Sequence, residues 1–339
     1  MKNPNIIFTS PGVAELIDKE MPEAPVGTEV LVRLAYSTVS SGTERANLIG
    51  DDSVNMHAPP SVSFPRQCGY SSAGEVVAVG DGVKKLRVGD RVALTWSKYS
   101  HYIKLDEKNA HLIEDEDMSC ATASLTTIAT FPMAAIRKCR LELGESAIVM
   151  GLGVLGLMAV QLLHAAGAVP IIAVDPIPSK REKALAFGAD YALDPFAPDF
   201  AETVKRLSDG GVKVAIEVTG NGKALDSVLD VMAPLGRVAL LGCTRHADFT
   251  IDYYRKVHGP GISLIGAHTM ARPKEESSAG LWTTRDDALA FMRLEATGRT
   301  HIADLVEEVH SPLEAPAVFA RLAKESAFPV VQFNWDLLK

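Results

Sequence analysis

Cysteine is scarce in this chain of 339 residues. The four cysteines, Cys68, Cys120, Cys139 and Cys243, stand far apart, with no C-x-x-C pair and no histidine at metal-ligand spacing. A disulfide framework or a structural zinc cluster needs closely spaced cysteines, so the sequence argues against both. The low cysteine content predicts a protein of a reducing compartment, and we expect it in the cytoplasm.

Positive charge is also in short supply. The chain has 34 Lys and Arg against 42 Asp and Glu, a formal net charge of −8. A nucleic-acid partner requires a cationic surface, so none is predicted. The hydrophobic fraction of 47% is high enough for complete cores and excludes disorder as the dominant state. A chain of this length is expected to form two domains.

One long uncharged run, residues 147–174, needs an explanation because its length is that of a membrane span. The run is interrupted by residues that break helices and strands: Gly151, Gly153, Gly156, Gly167 and Pro170. These breakers divide it into a short strand, a helix and a second short strand. The sequence therefore predicts no membrane segment, and the N-terminus lacks the apolar core of a signal peptide.

Two kinds of pattern divide the chain. The first 125 or so residues contain short strand-like runs separated by Gly-Asp and Gly-Thr turns, which predicts a small antiparallel barrel. Residues 121–140 are typical of a helix, with Pro132 as a kink or a boundary. From Ser146 onward strands and helices alternate, which predicts a doubly wound parallel sheet. The predicted fold class is α/β.

The strongest local motif is the G-x-G-x-x-G pattern of Gly151, Gly153 and Gly156. It follows a hydrophobic strand, opens a helix and precedes a second strand that ends in Asp175. This context is typical of a dinucleotide-binding fold. Gly151 allows the tight turn, Gly153 lets the backbone approach a pyrophosphate, and Gly156 lets helix pack on strand, while the helix amides face the phosphates.

The residues at and after the end of the second strand help to distinguish NAD from NADP as the cofactor. The Asp175 carboxylate can accept both ribose hydroxyls of NAD and would repel the 2′-phosphate of NADP. NAD is therefore the predicted cofactor. Lys180 and Arg181 leave an NADP alternative open, although Arg181 is more readily interpreted as a solvated charge at a helix start.

At this point the order of motifs resembles the medium-chain dehydrogenase/reductase superfamily, the relatives of zinc alcohol dehydrogenase. The segments that carry the resemblance are residues 39–44, 69–77, 88–92, 143–156, 240–242 and 264–266. The resemblance implies a GroES-like β-barrel catalytic domain and a Rossmann NAD-binding domain inserted into it. The boundaries it implies are 1–127 for the first part of the catalytic domain, 128–268 for the Rossmann domain and 269–339 for the return to the catalytic domain.

The resemblance breaks at the metal positions. Where zinc relatives carry cysteine, histidine and glutamate, this chain has Ser41, Tyr70 and Ser71, and Thr126 stands where the remaining cysteine often lies. The four-cysteine lobe expected after Val92 is absent as well. Hydroxyl groups are poor zinc ligands, so no catalytic or structural metal is predicted. The chain thus resembles a zinc-lacking branch, similar to the bacteriochlorophyllide dehydrogenase-like and bi-domain oxidoreductases.

Catalysis without zinc requires a side chain to handle the hydroxyl proton. Thr43 stands where the family relays protons between substrate and cofactor ribose. Tyr70, with an ordinary pKa near ~10, suits a proton donor or an orienting group, and a packed barrel tyrosine is the alternative. His57, in a Pro-rich loop, and His101 are candidate imidazole bases, with a core or surface role as the alternative for each. Glu44 is a base or, as the resemblance favours, a structural residue.

The remaining candidates bind substrate or cofactor. The predicted substrate-pocket residues are Ser41, Ser71, Thr126 and His268. The predicted cofactor-binding residues, several of them implied by the resemblance, are Gly151, Gly153, Leu155, Gly156, Asp175, Lys180, Thr130, Gly242, Cys243 and Ala267.

These features together predict a zinc-independent, NAD-dependent oxidoreductase that moves a hydride between a secondary alcohol and nicotinamide. The many hydroxyl groups expected in the site suit a small polar substrate such as a polyol or a sugar. Two alternatives stay open: a quinone- or enone-type reductase using NAD(P)H, and a catalytically inactive nucleotide-binding protein. The resemblance also implies a homodimer or a homotetramer.

Overall fold

The computed structural model describes residues 2–54, 62–247, 249–325 and 327–338. The chain divides into two compact units. The first contains Met1–Ile128, Ala288–Thr297 and Ile302–Lys339, and the second contains Ala129–Asp287 and Gly298–His301. In this division, residues 269–287 group with the second unit.

The described residues form strands and helices that are numbered here along the chain. The strands are β1 (Lys2–Ser10), β2 (Val13–Glu20), β3 (Glu29–Thr38), β4 (Ser71–Val79), β5 (Arg91–Thr95), β6 (Tyr102–Asp106), β7 (Ala110–Leu112), β8 (Ala147–Met150), β9 (Ile171–Val174), β10 (Tyr191–Leu193), β11 (Val212–Glu217), β12 (Met232–Leu240), β13 (Ser263–Gly266), β14 (Glu308–His310) and β15 (Val331–Asn334). The helices are α1 (Ser41–Ile49), α2 (Cys120–Ala123), α3 (Thr126–Lys138), α4 (Val154–Ala165), α5 (Pro178–Ala186), α6 (Phe200–Leu207), α7 (Gly222–Asp230), α8 (Thr284–Ala296) and α9 (Ala315–Lys324).

The first unit is built on a seven-stranded sheet. Its strands pair in the order β14-β15-β3-β4-β5-β7, with β6 also paired to β3, and β1 and β2 form a separate antiparallel hairpin. Buried aromatic side chains fill the core, and the Phe8 and Phe319 rings meet edge to face at 4.9 Å.

One pair of strands departs from the predicted antiparallel pattern. Strands β14 and β15 run parallel. A parallel neighbour requires a crossover connection, and α9 provides it between these two strands. The pattern of the first 125 residues could not reveal this pair, because both strands come from the end of the chain.

The second unit contains the predicted doubly wound sheet. Six parallel strands lie in the order β10-β9-β8-β11-β12-β13, so chain order reverses between β8 and β11. In open α/β sheets, ligands bind beyond the carboxyl ends of the strands at such a reversal. The uncharged run 147–174 is the strand–helix–strand segment β8-α4-β9, as predicted.

The helix predicted over residues 121–140 is interrupted, but not at Pro132. It forms two helices, α2 and α3, and α3 continues through Pro132. The interruption is at Ser124, whose hydroxyl donates to the Ala121 carbonyl at 2.8 Å and lies 2.7 Å from the Thr38 hydroxyl. Side-chain hydroxyls that bond the backbone in this way compete with helix continuation.

Within the described part of the chain, no helix is long and apolar enough to cross a membrane.

Candidate active site

The glycine motif lies at the carboxyl end of β8, where the chain enters α4. Gly151 has φ +97°, a conformation that L side chains rarely adopt. A Cβ on Gly156 would lie 1.9 Å from the Gly151 carbonyl oxygen, so only glycine lets α4 pack this close to the turn. A Cβ on Gly153 would meet nothing within 4 Å, which leaves open space directly above the loop.

The start of α4 can receive an anion. Its N-cap residue is Gly153, and no side chain caps the first amides of the helix, which include that of Leu155. Free amides at a helix N-terminus bind phosphate well, because the helix dipole adds to their hydrogen bonds. The loop therefore has the features that a pyrophosphate requires.

The Asp175 carboxylate is anchored to the same loop. It is buried, and its two oxygens accept hydrogen bonds from the Leu152 and Ile177 amides, each at 2.9 Å. A carboxylate has about four acceptor directions, so two remain for ribose hydroxyls. These two backbone bonds were not predicted from the sequence, since they depend on how the strand end meets the glycine loop.

The two basic residues after Asp175 differ in their surroundings. The Arg181 guanidinium donates to the Asp175 carbonyl at 2.7 Å and the Pro176 carbonyl at 3.0 Å, and lies 3.4 Å from the Asp194 carboxylate. The interpretation of Arg181 as a solvated charge is therefore wrong, because its donors are used within the fold. The Lys180 ammonium lies 3.9 Å from the Asp175 carboxylate.

Glu217, at the carboxyl end of β11, is a residue that the sequence analysis missed. Its carboxylate accepts hydrogen bonds from the Thr219 amide at 2.8 Å, the Thr219 hydroxyl and the Gly220 amide at 3.1 Å. Burial raises the pKa of this carboxyl above its ordinary value. The turn it holds lies against Gly151, since a Cβ there would be 2.8 Å from the Thr219 side chain. The available signal was the Glu217-Val218-Thr219-Gly220 sequence at the end of a strand.

The other predicted cofactor residues lie on loops of the same unit. Gly242 packs against the Gly220 amide, where a Cβ would lie 2.2 Å away. Cys243 is exposed, whereas Ala267 is buried and its amide donates to the Leu240 carbonyl at 3.1 Å. Thr130 is fully buried on α3, and its carbonyl accepts a hydrogen bond from Arg272 at 2.9 Å.

His268, predicted to line the substrate pocket, is also in the second unit. Its Nδ1 accepts a hydrogen bond from the Met270 amide at 3.2 Å. Burial, and then the charge of Lys138, lower the pKa of its imidazole. With Nδ1 as an acceptor and the pKa lowered, the His268 ring suits a hydrogen-bonding role.

In the first unit, hydroxyl groups gather where β4, β5 and α3 meet. The Ser71 hydroxyl donates to the Ser124 carbonyl at 2.6 Å, and Ser71 pairs with Thr95 across β4 and β5. The Thr127 hydroxyl donates to the Leu94 carbonyl at 2.9 Å, which places the start of α3 on the end of β5. The Thr126 hydroxyl is buried and has no hydrogen-bond partner among the residues that the structure describes.

Tyr70 lies beside this group at the start of β4. It is buried, and its ring centroid lies 6.1 Å from that of Trp96. Ser41 and Thr43 are on α1, half-buried, and the Thr43 carbonyl accepts a hydrogen bond from the Asn47 side chain at 2.8 Å. His57 lies outside the described residues, so its predicted role as a base remains a prediction.

Two more histidines lie in this unit. His101 stacks on Trp335, with centroids 6.2 Å apart and planes within 8°, and burial followed by the charge of Arg33 lowers its pKa. The His101 ring is thus half-buried against Trp335, and its role as a base remains a prediction. His111, which the sequence analysis did not single out, is buried with Nε2 2.8 Å from the Thr95 hydroxyl.

Glu44 is enclosed next to Thr43. One oxygen accepts a hydrogen bond from the Gly69 amide at 3.2 Å, and the other is buried without a hydrogen-bond partner in the described chain. Burial, opposed in part by the Gly69 bond, raises the pKa of this carboxyl from 4.5 to about 7. This geometry supports a structural role, because the carboxylate ties α1 to the residue before Tyr70.

The raised pKa of Glu44 predicts a specific dependence of stability on pH. The folded state holds this proton more tightly, so the stabilisation is complete below pH 4.5 and is lost as the pH rises through about 7. The loss should reach about 3 kcal/mol, since one pKa unit corresponds to ~1.4 kcal/mol. Glu44→Gln should flatten the melting temperature between pH 4.5 and 8, whereas Glu23→Gln, an exposed control, should not. Parallel pH profiles for wild type and Glu44→Gln would contradict this assignment.

The side chains do not provide a zinc site in the part of the chain that is described. No three His, Cys, Asp or Glu side chains come together there in a way that could hold a metal ion. The positions corresponding to zinc ligands carry the hydroxyls of Ser41, Tyr70 and Thr126, which are poor zinc donors.

Two family models match the chain, one in each region. Residues 26–140 match the alcohol dehydrogenase GroES-like domain, and residues 154–282 match the zinc-binding dehydrogenase family. The chain therefore belongs to the medium-chain zinc-binding alcohol dehydrogenase superfamily. These matches confirm the GroES-like and Rossmann classes predicted from the sequence. The chain is an oxidoreductase of this kind that uses a nicotinamide cofactor, NAD or NADP.

Among curated relatives, the chain is similar to the D-guloside 3-dehydrogenase of Escherichia coli K12, with 26% identity over 92% of this chain and 93% of the relative. It is also similar to the L-threonine 3-dehydrogenase of Thermococcus kodakarensis, with 30% identity over 77% of this chain and 81% of the relative.

Solved structures share the fold. A zinc-binding dehydrogenase from Sinorhizobium meliloti bound to NADP has a TM-score of 0.82 at 20% identity, covering 98% of this chain and 99% of that one. An alcohol dehydrogenase from E. coli CFT073 in complex with NADH has a TM-score of 0.81 at 18% identity, with coverage of 98% and 99%. Relatives of this fold thus use either cofactor.

Proposed function

We propose that this protein is a zinc-independent, NAD-dependent dehydrogenase that moves a hydride between a secondary alcohol of a sugar or polyol and nicotinamide. The observation that carries the proposal is the replacement of metal-binding side chains by hydroxyls, at Ser41, Tyr70, Ser71 and Thr126, in a chain whose dinucleotide loop is intact. Hydroxyl groups both donate and accept hydrogen bonds, as the hydroxyls of a sugar do. The similarity to a D-guloside 3-dehydrogenase supports the same substrate class.

The choice of NAD rests on the surroundings of Asp175. Its carboxylate faces the glycine loop with acceptor capacity to spare, and it would repel a phosphate on the ribose 2′-oxygen. The Arg181 donors that would be needed to bind that phosphate are used by two carbonyls and by Asp194. This argument favours NAD even though some relatives bind NADP.

The proton is handled by side chains of the first unit. Holding tyrosinate at pH 7 costs about 4 kcal/mol, so Tyr70 acts as a neutral hydrogen-bond donor that orients the substrate oxygen and gives it a proton in the direction of carbonyl reduction. In carbonyl reduction Thr43 relays a proton to the site, and in alcohol oxidation it relays the substrate proton away, a role that requires only a hydroxyl. His57 remains the candidate for the final base. The nicotinamide supplies the hydride chemistry when bound.

The test is a substrate screen on purified protein that follows absorbance of the reduced cofactor. Secondary alcohols of sugars or polyols should reduce NAD faster than NADP. Reduction of enones by NAD(P)H, without alcohol oxidation, would instead support a quinone- or enone-type reductase. Tight NADH binding without turnover of either panel would indicate an inactive nucleotide-binding protein.

Zinc independence can be tested separately from the substrate. Protein purified without added metal should contain substoichiometric zinc by elemental analysis, and a chelator should leave its turnover unchanged. Stoichiometric zinc, or loss of turnover that zinc restores, would overturn this part of the proposal while leaving the dehydrogenase assignment in place. The proposed homodimer or homotetramer is tested by light scattering on the same sample.

A further inference from the structure

Glu217 lies at the point where the chain order of the parallel sheet reverses. It is the last residue of β11, and its neighbours across the sheet are Met150, the last residue of β8, and Leu240, the last residue of β12. The reversal is between β8 and β11. In sheets of this kind a dinucleotide lies across the reversal, with one nucleotide on each side of it. Glu217 therefore stands at the edge of the sheet that a dinucleotide would cross.

The side chain of Glu217 holds the loop that follows β11. The carboxylate is almost fully buried, and it accepts hydrogen bonds from the Thr219 amide at 2.8 Å, from the Thr219 hydroxyl and from the Gly220 amide at 3.1 Å. An ionised carboxylate has two acceptor oxygens and no donor, so it can satisfy all three of these donors. One side chain thus fixes the turn of residues 217–220.

The main chain of Glu217 holds the loop that follows β12. Its carbonyl oxygen accepts hydrogen bonds from two successive amides, those of Leu241 at 2.9 Å and Gly242 at 2.8 Å. A Cβ on Gly242 would lie 2.2 Å from the Gly220 nitrogen, and a Cβ on Gly220 would lie 2.6 Å from the Cys243 carbonyl oxygen. The loops after β11 and β12 are therefore in close backbone contact, and both are bonded to the same residue.

The turn after β11 also packs against the glycine loop. A Cβ on Gly151 would lie 2.8 Å from the Thr219 side chain. The Val218 amide donates to the Met150 carbonyl at 3.0 Å, which keeps the ends of β8 and β11 together. Glu217 thus connects three loops, those after β8, β11 and β12, at one edge of the sheet.

The order of the strands indicates which half of the cofactor these loops would support. Asp175, at the end of β9, is the proposed acceptor for the adenine ribose, and the first amides of α4 suit the pyrophosphate. The second nucleotide then extends away from β9, over the ends of β11 and β12 on the other side of the reversal. In a nicotinamide dinucleotide this second nucleotide is the nicotinamide half.

We propose that Glu217 is a positioning residue for the nicotinamide half of the cofactor. It acts through the backbone of the loops after β11 and β12, because its side chain and its carbonyl oxygen fix both loops relative to the glycine loop. This inference rests on the proposed dehydrogenase function and adds a residue that sets the geometry of its cofactor site.

The test compares the binding of NADH with that of ADP, which has the adenosine and both phosphates but no nicotinamide half. Glu217→Gln keeps the size of the side chain and replaces one acceptor oxygen by an NH₂ group that faces backbone donors. By calorimetric titration, the dissociation constant of NADH should rise about tenfold or more, and that of ADP by less than about threefold. Equal losses for the two ligands, or an unchanged NADH affinity, would overturn the proposal.

Glu145→Gln is the matched control for this comparison. Glu145 is a half-buried carboxylate of the same unit, bonded to the Arg237 guanidinium at 2.6 Å and to the Glu142 amide at 2.9 Å. It precedes β8 and therefore lies at the opposite end of the parallel strands. Glu145→Gln should leave the ratio of NADH to ADP affinity unchanged, even where its melting temperature falls. A change in that ratio equal to the change in Glu217→Gln would contradict a local role for Glu217.

A second variant keeps the test valid if Glu217→Gln does not fold. Thr219→Val removes the hydroxyl that donates to Glu217 and retains both amide donors and the branched side chain beside Gly151. It should weaken NADH binding about twofold to fivefold and leave ADP binding unchanged. An unchanged NADH affinity in this variant would likewise overturn the proposal.

Turnover separates this inference from the proposed function. With an alcohol that the wild type oxidises, Glu217→Gln should lower kcat as well as raise the KM for NAD, because a displaced nicotinamide is poorly aligned with the substrate. Selective loss of NADH binding in Glu217→Gln, with no turnover by the wild type, would leave the positioning role standing and overturn the dehydrogenase assignment. Turnover by the wild type, with equal NADH affinity in the two proteins, would do the reverse.

Discussion

Gly156→Ala should abolish NADH binding, with a rise in the dissociation constant of at least about a hundredfold. The added Cβ would lie 1.9 Å from the Gly151 carbonyl oxygen, a backbone atom, and neither atom has a side-chain torsion that could relieve the contact. To relieve the clash, α4 must move from the turn, and the amides at its start then lose their position for the pyrophosphate. Fluorescence titration with NADH measures the loss, and thermal melting reports the accompanying loss of stability.

Gly153→Ala is the matched control for this prediction. Its Cβ would meet nothing within 4 Å, so the melting temperature should remain that of the wild type. NADH binding should still weaken, because the methyl group occupies the space that a pyrophosphate approaches. Normal NADH binding by Gly156→Ala would show that helix packing at Gly156 does not position the cofactor site.

Asp287→Ala should lower the free energy of unfolding by about 3–5 kcal/mol, the range found when one partner of a buried ion pair is removed. The Asp287 side chain is fully buried, 2.7 Å from the Arg137 guanidinium and 3.4 Å from that of Arg272. Burial raises the pKa of the Asp287 carboxyl, and the two arginines act in the opposite direction. Without the carboxylate, two cations remain close together, and the Arg272 side chain is itself only 5% exposed.

The effect should also reach the cofactor residues of the second unit. Arg272 donates to the Thr130 carbonyl at 2.9 Å, and Arg137 lies over the Trp282 ring at 3.4 Å. Urea unfolding measures the change in stability. Asp252→Ala is the control, because its pair with Arg255 is solvent-exposed and should contribute little to stability. Equal losses for the two variants would contradict the role of burial.

The cofactor site illustrates what a sequence can predict. The motif of Gly151, Gly153 and Gly156 is local, and each glycine is explained by backbone within a few residues or by the helix that follows. Strand and helix patterns around it extend over many residues, so the doubly wound sheet was predictable too. Glu217 was not predicted, because its importance arises only when the ends of β8 and β11 lie side by side.

The candidate substrate residues of the first unit were less predictable, because their surroundings also depend on contacts between distant parts of the chain. From the sequence we predicted hydroxyls at the positions of zinc ligands, but not the left-handed backbone of Trp96, which depends on Tyr70 and Ser72 many residues away. Local patterns likewise predicted a kink or a boundary at Pro132, whereas the helix is interrupted at Ser124, whose hydroxyl lies 2.7 Å from that of the distant Thr38.

The scarcity of cysteine, the glycine motif and the alternation of strands and helices are properties of the sequence alone, and they determined the fold class, the nucleotide loop and the lack of thiolate ligands. Tertiary structure decided the contacts of the side chains. The Asp175 carboxylate bonds to the glycine loop, the Arg181 guanidinium donates to a backbone carbonyl, and the Trp96 side chain is exposed. The physical reason is the distance along the chain between the residues that interact. A turn or a helix start depends on neighbours along the chain, whereas the ionisation, orientation and exposure of a side chain depend on whatever the fold brings against it.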